Sequence, residues 1–129
     1  MDLKKLAIKT DGVWYDNVPF VDGSPTDICF KVVGRNSDQY KRVERKFSKE
    51  LVLDRKKAAS EITEQQLDIL CGCVLEWKNL EEDGTKIICN YDNKKRIFSD
   101  PAYGWLVEKI DRFIGEDTNF LSAEQAGKN

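Results

Sequence analysis

Ile62-Thr63-Glu64-Gln65-Gln66-Leu67-Asp68-Ile69-Leu70-Cys71-Gly72-Cys73-Val74-Leu75-Glu76-Trp77 is the stretch on which the fold turns. Thr63 reads as a helix N-cap and Gln66 completes a capping box, each side chain meeting a backbone N–H that the first turn leaves orphaned. Ile62 before the cap and Leu67 after it form a hydrophobic staple. Leu67, Leu70, Cys71, Val74 and Trp77 recur at helical spacing, and Ile69, Cys73 and Leu75 widen the stripe. The pattern predicts a helix over roughly 63–79, buried on much of its circumference. Gly72 in its interior costs about 1 kcal/mol against Ala, which suggests a close packing partner; the alternative is that it has no special role.

Outward from this helix, the N-terminal third reads as β-structure. Leu6–Lys9 and Val13–Tyr15 flank Thr10-Asp11-Gly12, the composition of a tight hairpin turn. Ile28–Val33 is a further strand with Ile28, Phe30 and Val32 on one face. Asn36, with Gln39 three residues on, is the expected cap of a helix reaching to about residue 58, where Ser60-Glu61 breaks it. Tyr40, Val43, Phe47 and Leu51 give its apolar stripe. Downstream, Glu81-Glu82-Asp83-Gly84 is a turn, Thr85–Tyr91 a short strand, and Asp92–Lys95 an exposed polar segment. Ser99 or Asp100 caps a last helix over roughly 100–114, with Pro101 in its first turn and Gly115 as its stop. Fold class is therefore α+β: a small antiparallel N-terminal sheet packed on about three principal helices, 36–58, 63–79 and 100–114. One domain is expected over 1–121, with a small, polar, frayed tail over 122–129.

Bulk properties narrow the function. Among 129 residues, 40% are hydrophobic and 34% are charged with mixed sign, the balance of a folded chain rather than a disordered one. Net charge is −2, so no global field draws the chain to nucleic acid or anionic membrane. Neither a membrane span nor a signal peptide is legible, which gives a cytoplasmic expectation. Histidine is absent, and phosphate-loop, dinucleotide and nucleophile-elbow signatures are missing, so no enzyme, no cofactor and no catalytic residue is expected. Cys29, Cys71, Cys73 and Cys89 lack the usual zinc spacing and read as reduced, small apolar residues, with no metal.

Surfaces remain. Residues 35–57 hold nine basic and four acidic side chains, a local charge of +5 against −7 for the remainder. Arg42, Arg45, Lys46 and Lys49 form its basic surface. The readings are a solvated helix face, a polyanion site, or a contact with the acidic part of a neighbouring copy. Trp14 and Tyr15 are adjacent and so point to opposite sheet faces. Trp77, Leu80, Trp105 and Phe120, all at helix ends, are the candidate partner-binding residues; each could equally be core.

The order of short motifs carries a resemblance. Trp77-x-x-Leu80-x-x-Asp83-Gly84 is followed by Tyr91, by Phe98-Ser99-Asp100-Pro101, by Trp105-Leu106, and by Phe113-Ile114 and Asn119-Phe120-Leu121. This succession resembles the tail assembly chaperones of long-tailed bacteriophages and prophages over roughly residues 27–121. Ile87-Ile88-Cys89-Asn90 stands where many relatives have a proline-rich segment, and the usual Pro-Trp pair is stretched to Pro101-Ala102-Tyr103-Gly104-Trp105. The resemblance implies a chaperone that holds the tape measure protein soluble while the tail tube polymerises, in the cytoplasm of the bacterial host and absent from the mature virion. It names the tail tube protein, a longer frameshifted form of the same chain, and further copies of the chain as additional candidate partners. Codons for Gly127-Lys128 can hold the run of G and A that such frameshifting uses. Alternatives are a structural tail or head–tail protein retained in the particle, or a nucleic-acid-binding accessory protein using the basic helix 35–57.

Overall fold

A computed structural model describes residues 1–53, 58–122 and 125, without the side chains of 47–53 and 58–63. The fold is α+β. Three antiparallel strands, β1 (Val13–Tyr15), β2 (Cys29–Val32) and β3 (Val74–Lys78), form a sheet in the order β1-β2-β3. Four α-helices are described: α1 (Asp38–Leu53), α2 (Ala58–Cys73), α3 (Tyr91–Phe98) and α4 (Gly104–Gly115). A two-stranded hairpin, β4 (Glu81–Glu82) and β5 (Thr85–Lys86), lies between β3 and α3.

The decisive stretch behaves differently from its periodicity at both ends. The helix is already running at Ala58, so Thr63 lies inside it and is not its cap, and Ser60-Glu61 is helical rather than a break. At the other end it stops at Cys73, and Val74–Lys78 pass without a loop into β3. The reason is tertiary. β2 is the central strand, and its buried backbone groups need partners on both sides. β3 supplies one set, pairing Phe30 with Trp77 and Lys31 with Glu76. Val74 and Trp77 suit a pleated strand as well as a helical stripe, so packing decides between the two.

β1 also finds an unexpected partner. Leu6–Lys9 do not form a hairpin with it; Leu3–Leu6 is a single 3₁₀ turn, and β1 pairs with β2. The backbone of the first segment bonds instead to the chain's C-terminal part: Lys9 N–H donates to the Phe120 carbonyl at 2.8 Å, and the Gln125 side chain donates to the carbonyls of Lys5 and Ala7. Ser122 and Gln125 are thus hydrogen-bonded, while the rest of the tail expected to fray lies outside the described residues.

Other boundaries move for local reasons. Ser37, not Asn36, caps α1: its hydroxyl accepts from Tyr40 N–H and donates to the Gly34 carbonyl at 2.6 Å. Residues 54–57, at the end of the expected first helix, lie outside the described residues. The strand expected over 85–91 shrinks to Thr85–Lys86, closed by Asp83 and Gly84, both at positive φ as a tight hairpin turn requires. Asp92–Lys95, expected as an exposed polar segment, lie within α3, which Asn90 caps by accepting from Asn93 N–H at 2.8 Å. Asp100 caps a 3₁₀ turn at Pro101–Tyr103 that leads into α4. Gly115 is the last helical residue rather than a left-handed stop.

One core joins these elements. Phe30, Val32, Leu70, Ile110, Ile114 and Phe120 are among its fully buried side chains. The inner sheet face stacks Tyr15 on Phe113 with centroids 4.4 Å apart, while Trp14 lies on the opposite face under the Lys78 ammonium at 4.2 Å. Cys29, Cys71 and Cys73 are buried, and burial pushes the Cys73 thiol up to about 12, so it stays neutral at physiological pH.

Candidate functional site

Two open grooves flank α2. On its α1 side, Gln39, Arg42, Val43 and Lys46 form one helical stripe facing Asp68, Cys71 and Gly72, and Tyr91 stands at the margin. The space between is about 410 Å³. Val43 lies against Gly72 and Lys46 pairs with Asp68 at 3.8 Å, so higher numbers on one helix meet lower numbers on the other and the pair is antiparallel. Lys94 donates to the Cys71 carbonyl at 3.2 Å. Burial raises the Cys71 thiol above its ordinary range and Asp68 raises it further, while Lys94 and Lys95 oppose the shift.

On the other side of α2, Leu67, Leu70, Phe98 and Val107 line a groove of about 400 Å³, rimmed by Glu64, Gln66 and Ser99. Its lining is chiefly apolar. Nearby, burial holds the Asp111 carboxyl above the ordinary carboxylate range, partly countered by a hydrogen bond with Gln66.

The four side chains singled out for partner contact do not form one site. Trp77 and Leu80 share a depression of about 230 Å³ with Lys86 and Ile87; neither Trp105 nor Phe120 lines it. Trp77 is on a strand rather than at a helix end. Its indole N–H donates to the Ile87 carbonyl at 2.7 Å, and its ring meets Phe30 and Phe98 edge-on. Leu80 is partly buried, and its carbonyl accepts from Ile87 N–H. Trp105 packs edge-to-face with the exposed Phe20, centroids 5.0 Å apart. Phe120 is 1% exposed and seated on Gly34, so in this fold it is a core side chain with no surface to offer. In the basic set, Arg42 and Lys46 border the α1–α2 groove, Arg45 is exposed on the same helix, and the Lys49 side chain lies outside the described residues.

Gly72, expected either to meet a close packing partner or to have no special role, lines the groove floor. Gln39 reads from the sequence as a capping residue and Tyr91 as part of the motif order, and neither is expected beside Asp68, although 39, 42, 43 and 46 have the i, i+3, i+4, i+7 spacing of one helix face.

Among the described residues no three His, Cys, Asp or Glu side chains gather as metal ligands, and no helix is long and apolar enough to cross a membrane. No family profile, curated protein or solved structure matches the chain.

Proposed function

We propose that the chain is a non-catalytic holding protein: a tail assembly chaperone of a long-tailed phage or prophage, which binds the tape measure protein and keeps it soluble while the tail tube forms in the host cytoplasm. The observation that carries this reading is the pair of grooves along α2, each about 400 Å³ and open to solvent, with walls built from helices. A long helical chain with an apolar stripe and no core of its own aggregates through that stripe. Covering the stripe with a helix-lined groove is the economical remedy, and no nucleotide is needed for it. The motif order adds support, because Trp77, Leu80 and the Asp83-Gly84 turn belong to one hydrogen-bonded unit next to the core.

Co-expression with the tape measure protein tests the reading. The soluble fraction of that long chain is expected to rise severalfold when this protein is present, and the complex should be absent from purified particles. An unchanged soluble fraction removes the proposal.

A further inference from the structure

Gly72 occupies a helix interior without an internal reason to be glycine. A Cβ built there meets nothing closer than Val43 Cγ2 at 4.0 Å, an ordinary contact, so α1 and α2 would pack equally well around alanine. Glycine in a helix is unfavourable against alanine. What it does provide is depth: the missing methyl leaves α2 backbone as the floor of the α1–α2 groove.

The walls have the shape of a helix receptor. Gln39 to Lys46 spans seven residues, about 10 Å of helix at 1.5 Å per residue, or two turns. Two antiparallel helices with a glycine between them let a third backbone approach closely, ridge into groove. The rim is electropositive. Arg42 and Lys46 stand on α1, and Lys94 reaches the opposite wall through the Cys71 carbonyl. Asp68 is the one carboxylate lining the groove among the described residues, and Lys46 already faces it. Arg42 is exposed and has no carboxylate partner among the described residues, so its guanidinium fork can take one in a bidentate pair. Tyr91, 56% exposed at the margin, adds an aromatic surface.

We propose that the α1–α2 groove seats about two turns of a partner's amphipathic helix whose apolar stripe is bordered by carboxylates, with Gly72 as the floor and Arg42 as the anchor for the acid. The holding-protein reading identifies who supplies this helix; the groove itself stands on the geometry above.

The experiment uses two designed 20-residue amphipathic helices with the same Leu stripe, one flanked by Glu and the other by Lys, titrated into the full chain. Amide NMR shifts locate binding and fluorescence anisotropy measures affinity. The Glu-flanked helix is expected to bind about tenfold tighter, roughly 1.4 kcal/mol, and to move the signals of Val43, Cys71, Gly72 and Tyr91. Gly72→Ala should weaken it at least fivefold while leaving the rest of the amide spectrum in place, and Arg42→Glu should abolish the preference for Glu flanks. Equal affinity for both peptides, shifts confined to other surfaces, or unchanged binding by Gly72→Ala overturns the proposal. So does a 20-nucleotide single strand that moves the same signals more strongly, or a concentration-dependent shift of those signals without peptide, which would make the occupant a nucleic acid or a second copy. Carrying both variants into the co-expression assay separates the two claims. If wild type and variants solubilise the tape measure equally, the groove inference falls and the function stands. If wild type itself fails there, the function falls and the peptide titration alone decides the groove.

Discussion

Gly34 and Gly72 are the same residue used for opposite ends. At Gly34 a Cβ would sit 2.8 Å from Cε2 of the Phe120 ring, closer than packed atoms tolerate; at Gly72 it would find only Val43 at 4.0 Å. The first glycine closes a contact between the β2–α1 connection and the end of the chain. The second keeps a contact open. Glycine in a packed region therefore has two readings, and only the neighbouring atoms choose between them. Stability should respond to the first site, and binding to the second.

The largest expected effect is at the closed site. Phe120→Ala empties a fully buried ring position and should destabilise the fold by about 3–5 kcal/mol, read from the midpoint of urea unfolding at constant slope. A loss under 1 kcal/mol would mean that Phe120 is not core in solution and would return it to the candidate contacts. Gly34→Ala comes next. Its methyl must push the ring or the backbone aside, an overpacking effect of about 1–3 kcal/mol in the same assay. A neutral outcome would erase the contrast between the two glycines. Gly72→Ala should have the reverse sign, stabilising α2 by up to about 1 kcal/mol through helix propensity alone. Destabilisation there would show that the α1–α2 interface needs the glycine, and the open-groove reading of this residue would fail.

The α+β class was legible because composition, turn residues and apolar periodicity agree along most of the chain. β2 was readable from Phe30 and Val32, the capped turn from Asp100-Pro101, and α4 from its Leu106, Val107, Ile110 and Ile114 stripe. The failures share one cause. Val74, Leu75 and Trp77 continue a helical stripe, and Leu75 and Trp77 also alternate with Glu76 and Lys78 as a strand does, so the choice rests with β2, a partner more than forty residues upstream. β1 fails likewise: local turn chemistry favoured Leu6–Lys9, while those residues bond to the chain's end. Phe120 followed a helix stop and a polar Asn119, which looks like surface until Gly34 is brought beneath it. The grooves were hidden for a related reason. Periodicity shows which face of a helix is apolar, but whether a neighbour covers it is decided by the packing of every other element.

The smallest expected effect probes what holds the closed site shut. Asp117 begins the 3₁₀ turn that ends in Phe120, and Arg35, next to Gly34, grips its carboxylate through two bonds of 3.0 and 2.9 Å. Asn36 adds a third at 2.9 Å. Hydrogen bonding to Arg35 above all holds the Asp117 carboxyl below the ordinary carboxylate range; desolvation opposes it, and the Arg35 charge and the Asn36 hydrogen bond add smaller lowering effects. A carboxyl with a depressed folded pKa contributes stability that is complete above its unfolded pKa and is lost as pH falls through the folded value. The contribution should thus be intact at neutral pH and disappear below about pH 4, where a free aspartate begins to bind its proton. The pair is solvent-exposed, so its effect is small and salt weakens it. Asp117→Asn should therefore flatten the acid limb of the stability curve slightly, leave the neutral-pH spectrum of the groove signals untouched, and remove the salt dependence of the Phe120 seat. If the variant instead alters peptide affinity at the α1–α2 groove, the two glycine sites are coupled through α1, whose N-terminal cap lies between Gly34 and the groove, and they could no longer be treated as independent.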